Sequence, residues 1–310
     1  MPSVITDTQL MEHVLKLGDE HPPIRMDSAD FTVKNPALMR EKFGGVLDYL
    51  ARVELEVDRN VLELLTILPH ASEVDRVFYQ DVWYDQEMAH GYILDRLKDE
   101  MGLAPAEPYL EVKMGLKALG ALAHFEPIHD VVRCIYYLTG ASTERQAVMA
   151  YNSFSKQLLE MGEKAVARTI INPIKRQEPG HFAFYRMSAE KLVQDGLRPW
   201  QLYLARLLRK TSYALVGTNR SNDYKAQMGE VITKLGLDEQ LEQYAKENTL
   251  PHYRECVVCF AQVYDQALPT RRVRDYDNLE EKQILDLLSS FVMADDTGLL
   301  CDAYNTAELG

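Results

Sequence analysis

Cysteine, basic charge and long apolar runs are all scarce in this chain, and each shortage removes a class of function. Four cysteines in 310 residues are a reduced-thiol composition and not a disulfide framework. Cys256 and Cys259 form a C-x-x-C, yet no second Cys or His pair stands nearby to complete a zinc site, so they read as small core residues on one helix face. Acidic residues outnumber basic ones by 47 to 34, a formal net charge of −13, which argues against a nucleic-acid partner. No apolar stretch nears the ~18 residues of a membrane span. The N-terminal stretch has neither a signal-peptide core nor an Arg-rich, acid-poor transit pattern. The expectation is a cytoplasmic protein with no membrane partner. Period-two alternation and low-complexity tracts are missing too.

What is present is helical periodicity. Val46, Leu50, Val53, Val57, Val61, Leu64 and Leu68 make one long apolar stripe. A second long helix is expected from Ser72 to Met101, stopping at Gly102, and a shorter one over Leu110–Ala123. Pro127 opens a segment expected to halt near Thr139–Gly140. Ser142 or Thr143 then caps a helix running to Gly162, and the pattern resumes from Glu163 to Gly196. The remainder reads as helical, with breaks near Gly217–Asn222, Gly236 and Pro251, a polar stretch after Pro269 and a last helix over Glu281–Met293. The fold class is all-α.

Against that background one spacing stands out. WYDQEMAHGYIL places Glu87 and His90 three residues apart, and RQEPGHFAFY repeats the spacing with Glu178 and His181. On an α-helix, positions i and i+3 share a face, so each pair can reach one point. With 25 Glu and 8 His, chance supplies about 0.65 such pairs. The chain has three, because Glu126 and His129 also qualify. Context separates them. Glu54 lies 33 residues before Glu87 and Glu144 lies 34 before Glu178, whereas no acid stands at that distance before Glu126. Glu126 and His129 read instead as the start of a short helix with Pro127 at its first position.

An acid on one helix and Glu-x-x-His on the next, twice over, is the donor set of a two-metal carboxylate centre in a four-helix bundle. Four carboxylates balance two divalent ions, and each imidazole adds a neutral ligand. The competing reading is solvated surface acids beside satisfied core histidines. Glu54 and Glu56 are both available on the first helix. Glu54 borders the apolar stripe, about 40° from its centre against about 120° for Glu56, so Glu54 is preferred and Glu56 stays open if the helix is irregular. Pro179 and Gly180 inside the second pair predict a helix restart, a kink or a bulge there.

These motifs resemble the ferritin-like di-iron carboxylate superfamily, most closely the soluble acyl-carrier-protein desaturases. WYDQEMAHGYIL is similar to that family's Trp and Glu-x-x-His-Gly. STERQA around Glu144 is similar to its third ligand helix, and RQEPGHFAFYRMSAEKL to its fourth. The resemblance covers residues 40–195 and implies a single domain, 1–310, with that bundle as core and 196–310 as additional helices. It further implies that Glu54, Glu87, His90, Glu144, Glu178 and His181 bind two Fe ions, the same oxygen-rich set accepting Mn or a mixed Fe/Mn pair. The activity implied is dioxygen-dependent oxidation of an unactivated C–H bond in a fatty acyl or similar apolar substrate, free or on an acyl-carrier protein. An electron donor such as ferredoxin and a homodimer are implied as well. The chain departs from the desaturases at Ala147, where they carry Thr, and at Gln177, where they carry Asp.

Phe78, Trp83, Tyr84, Met88, Phe182, Phe184 and Tyr185 are candidates to line an apolar tunnel. Arg206, Arg209 and Lys210, or Arg271, Arg272 and Arg274, are candidates to meet an acidic carrier protein. The alternatives are a di-iron hydroxylase or N-oxygenase on a small molecule, a ferritin-like iron store, a radical-storing reductase subunit and a metal-free helical scaffold. Two Glu-x-x-His pairs argue against the store. Leu94, where the reductase class carries Tyr, argues against the third.

Overall fold

The computed structural model describes residues 5–68, 70–112, 114–198, 200–201, 204–205 and 222–237. The C-x-x-C, both candidate basic clusters, the polar stretch after Pro269 and the helix expected over Glu281–Met293 lie outside them. Among the described residues the chain is mostly α-helical and has no strand. No described helix is long and apolar enough to cross a membrane.

Helix α1 (Asp7–Glu20) opens on a capping box, Thr6 accepting from the Gln9 N–H and Gln9 accepting from the Thr6 N–H. Helix α2 (Pro36–Leu55) begins with Asn35 as cap and Pro36 in its first turn. The Glu163 carboxylate accepts from the Lys34 and Asn35 N–H groups and anchors that start from far along the chain. The single stripe expected through Leu68 is interrupted. Glu56 stands between α2 and α3 (Val57–Ile67), where its carboxylate lies 3.2 Å from the buried Arg59 guanidinium.

Ser72 caps α4 (Glu73–Val77), which passes through a π-helical turn at Phe78–Trp83 into α5 (Tyr84–Glu100). Gly102, with φ of +64°, ends the run as expected. Helix α6 (Met114–Ala123) begins later than the expected Leu110.

Helix α7 (Glu126–Met161) runs unbroken through Thr139–Gly140, where a stop was expected. The reason is tertiary. A Cβ on Gly140 would lie 2.2 Å from the Tyr185 ring, so this glycine makes room for a neighbouring helix and does not end its own. Thr139 and Thr143 turn their hydroxyls back onto the Ile135 and Thr139 carbonyls within the helix. Gly162, in the left-handed region at φ +84°, does end it.

After α8 (Lys164–Val166) and a second π-helical turn at Ala167–Ile171 comes α9 (Asn172–Gln194). It continues through Pro179–Gly180 with no restart, the irregularity falling upstream in the π-helical turn. Pro179 stands on the exposed side. A Cβ on Gly180 would meet Leu17 of α1 at 2.3 Å, and the Gly180 carbonyl accepts from His13 Nε2 at 2.9 Å. The Pro-Gly pair is therefore the seat of α1. Helix α10 (Asn222–Leu235) completes the described set.

Helix α2 lies along α5 and α7 along α9, with α1 on α9 and α10 on α2 and α7. The α2–α5 approach is close. A Cβ on Gly91 would meet the Leu55 side chain at 2.7 Å and the Leu55 nitrogen at 3.0 Å. Two apolar clusters fill the interior, one holding Val57, Trp83, Ala141 and Phe184, the other Ala51, Ile93, Ala150 and Ile174. The boundary between the clusters falls at the end of α2, in the first turns of α5, and within α7 and α9. The residues carried at that boundary are Glu54, Glu87 with His90, Glu144, and Glu178 with His181.

Candidate metal centre

All six sequence-predicted site residues meet there, and all six are buried. Their arrangement is nearly two-fold. His90 Nδ1 faces Glu54 Oε2 at 3.8 Å, Glu87 Oε2 at 3.8 Å and Glu178 Oε1 at 3.4 Å. His181 Nδ1 faces Glu144 Oε2 at 3.7 Å, Glu87 Oε1 at 2.9 Å and Glu178 Oε2 at 3.7 Å. Glu87 and Glu178 each turn one oxygen toward each imidazole, so they straddle the two halves. Glu54 and Glu144 each serve one half.

Glu56 is not in this cluster. It is fully buried beside Arg59, which also lies 3.2 Å from Glu63, and the choice between Glu54 and Glu56 falls to Glu54. Glu126 and His129 are likewise elsewhere, His129 with its ring 5.6 Å from that of His70. They stand at the start of the longest described helix, and not of a short one.

The imidazoles are oriented by two glutamines, Gln177, which the sequence marked as a departure from the desaturases' Asp, and Gln86, which it did not mark. His90 Nε2 donates to Gln177 Oε1 at 2.5 Å and His181 Nε2 donates to Gln86 Oε1 at 2.6 Å, each across to the other helix. Both glutamine amides are tethered in turn to the strand of chain that leaves α1. Gln86 Nε2 donates to the His21 carbonyl, and Gln177 Nε2 donates to the His21 and Pro22 carbonyls at 2.9 Å each. A backbone carbonyl only accepts, so each amide nitrogen must face it and each amide oxygen must face the imidazole. That places the proton of each neutral imidazole on Nε2 and leaves the Nδ1 lone pair directed into the cluster. A single carbonyl, His21, thus orders both halves. The signal was in the sequence, because the repeat is one residue longer than Glu-x-x-His: QEMAH and QEPGH both begin with Gln. Tyr151, also unforeseen, donates to Glu54 Oε1.

Electrostatics make the cluster demanding. Burial, then repulsion from Glu87, pushes Glu54 well above the usual carboxylate range. Burial raises Glu144 to about 8 despite its contact with His181. Burial acts against charge on His90 and on His181, but the carboxylates around them outweigh it and hold both well above an ordinary histidine. Among the described residues no Lys or Arg pairs with any of the four glutamates. His90 Nδ1, His181 Nδ1, Glu87 Oε1 and Glu178 Oε1 are buried with no aligned hydrogen-bond partner among the described residues. Convergent donors of this kind could hold metal ions, Glu54, Glu87 and His90 at one point and Glu87, Glu144, Glu178 and His181 at the other.

Beside Glu54 and Glu144 lies a cavity of about 160 Å³. Trp83 and Tyr185, of the residues expected to line a tunnel, are on its wall, as is Ala147. Phe78 and Phe184 instead stack on each other at 3.6 Å, with Phe78 edge-on to His181 at 6.1 Å. Tyr84, Met88 and Phe182 pack against the core and are not among the lining residues.

Comparison with known proteins reaches only the other end of the chain. Residues 224–310 are similar to a family of unknown function (DUF6100), a stretch that overlaps the description at α10 and contains none of the cluster. No curated protein and no solved structure matches.

Proposed function

We propose that this protein is a dioxygen-activating oxidoreductase with a di-iron carboxylate centre in a ferritin-like four-helix bundle, α2, α5, α7 and α9. The observation that carries this reading is the convergence of two Gln-Glu-x-x-His segments and two single glutamates on one buried, nearly two-fold cluster. When bound, an iron pair supplies the redox chemistry that dioxygen activation requires.

The chain's own contribution is arrangement. Glu87 and Glu178 span the two halves, and Glu54 and Glu144 complete the charge balance. Gln86 and Gln177 hold both Nδ1 atoms inward. Tyr151 orients Glu54 through its hydroxyl. Trp83, Tyr185 and the flanking aliphatic clusters keep bulk water from the acids. The cavity lets a substrate approach Glu54 and Glu144, and an external donor such as a ferredoxin would supply electrons.

The size of that cavity bears on the substrate. Its ≈160 Å³ is close to the ~150 Å³ of an apolar cavity that holds benzene. This supports hydroxylation or N-oxygenation of a small molecule over desaturation of a long acyl chain. Ala147, leaving no hydroxyl one turn after Glu144, and Gln177, neutral where the desaturases carry Asp, point the same way.

The test is anaerobic titration with ferrous iron, metal per chain, and near-ultraviolet absorbance when oxygen is admitted. Two irons per chain with an oxygen-dependent optical change, both lost in Glu144→Ala, are expected. No stoichiometric metal, or metal retained when Glu144 and His181 are both replaced by Ala, refutes the reading.

A further inference from the structure

The ≈160 Å³ cavity lies where two helices of the cluster fail to close on each other. α2 and α7 have little direct contact, and α10 lies on both. Toward the cavity α7 presents the small Ala147 and Ala150, and α10 presents Val231 and Ile232. Both α10 residues are buried in the same apolar cluster as Ala150.

α10 is fastened from both sides. Arg52 of α2 donates to Gln227 Oε1 at 2.5 Å. Ser153 of α7 donates to the Leu235 carbonyl, and Gln157 Nε2 donates to the Lys234 carbonyl at 3.2 Å. Carbonyls in the last turn have no partner inside their own helix, so side chains of α7 cap the end of α10. Val231 and Ile232 are β-branched, with one strongly preferred rotamer in a helix, which makes their part of the wall stiff. Neither belongs to the metal cluster. Glu54 and Glu144 line the same cavity but are committed to that cluster. α10 is thus the part of the wall that can fix the cavity's extent without altering the donor set.

The wall also selects by charge. An ionic ligand would leave water for a largely aliphatic surface, and an anion would meet the buried glutamates as well. We propose that Val231 and Ile232, in the stretch similar to the family of unknown function, set the size limit for a neutral apolar ligand in this cavity. They admit a molecule of about one six-membered ring beside Glu54 and Glu144 and exclude one with further carbons. Their role in choosing a substrate rests on the metal-centre reading; their role in binding does not.

Benzene, and indane with three further carbons, are titrated calorimetrically into the metal-free full chain. Trp83 lines the cavity, and a Trp200→Phe background leaves it the only tryptophan, so its fluorescence reports occupancy. Benzene is expected to bind and change Trp83 emission, with indane at least tenfold weaker. Ile232→Ala removes three carbons from the wall and is expected to bring indane within threefold of benzene. Ile232→Phe, which fills the space, is expected to weaken benzene at least tenfold. Leu235→Ala is the comparison, since Leu235 is buried on the same helix but is not on the wall. It is expected to lower stability and leave the preference for benzene intact.

No benzene binding, unchanged Trp83 emission, or indane bound equally by the parent chain overturns the inference. So does an Ile232→Ala chain that still rejects indane, or a Leu235→Ala chain that admits it equally well. Should Ile232→Phe fail to fold, the two alanine variants still decide. Iron stoichiometry measured in parallel separates the two readings. A chain that binds two irons but no benzene loses only this site, and one that binds benzene but no metal loses only the centre.

Discussion

Replacing Gln177 by Leu tests whether the glutamines set the metal site or merely adjoin it. Gln177 is buried and makes three hydrogen bonds, accepting from His90 Nε2 and donating to the His21 and Pro22 carbonyls. Leucine is similar in size and makes none. Three lost bonds at ~1 kcal/mol each, with Pro22 left unpaired, give a cost of roughly 2–4 kcal/mol in the metal-free protein. His21 keeps its bond from Gln86, which holds the figure at the lower end. Freed of its acceptor, His90 can rotate or carry its proton on Nδ1, and outer partners of this kind are worth about 10–100-fold in metal affinity. Cobalt(II) competition against a chelator measures the affinity, and thermal unfolding of the apo chain measures the cost. Gln86→Leu is expected to act alike on the His181 half. The double variant is expected to lose more stability than the sum, because the His21 carbonyl keeps one amide donor in either single variant and none in the double. Unaltered cobalt affinity in a Gln177→Leu chain of lowered melting temperature would refute the reasoning, since the glutamine would then be a structural bond only.

Two further outcomes follow from the same packing. Gly140→Ala puts a methyl group 2.2 Å from a buried ring atom of Tyr185; overpacking near the top of its ~1–3 kcal/mol range, less the ~1 kcal/mol that Ala gains over Gly in a helix, leaves about 2 kcal/mol of destabilisation, readable as a lower urea midpoint. Tyr84 donates to Asp58 at 2.6 Å, and that bond, with partial burial and the negative charge beside it, raises its ionisation to about 12. A folded-state value above the unfolded one means the contribution is full below pH ~10 and lost as pH rises through the folded value. Burial holds Tyr79, Tyr137, Tyr151 and Tyr185 up as well, so the readout is a difference: phenolate absorbance of Asp58→Asn against the parent chain should show one tyrosine moved back toward ~10.

The donor set was legible in the sequence because Glu-x-x-His is local geometry. Three residues of helix bring the two side chains to one face wherever the helix goes, and the near-equal intervals from Glu54 to Glu87 and from Glu144 to Glu178 pair each acid with its helix. The all-α class followed from periodicity in the same way, as did the ends at Gly102 and Gly162, where a left-handed backbone needs glycine. Two misreadings share one cause, a residue whose partner lies far along the chain. Gly140 looks like a stop until Tyr185 is beside it. Pro179–Gly180 looks like a kink until α1 is seated on it. Glu56 is a local case: the expected continuous helix would turn it away from the core, and the break there buries it against Arg59, three residues on. The sequence by itself determined which Glu and His residues form the buried cluster and which helices carry them. Only the tertiary structure decided which oxygen faces which imidazole, and that a carbonyl at the end of α1 directs both histidines, because those relations join segments that no local period connects.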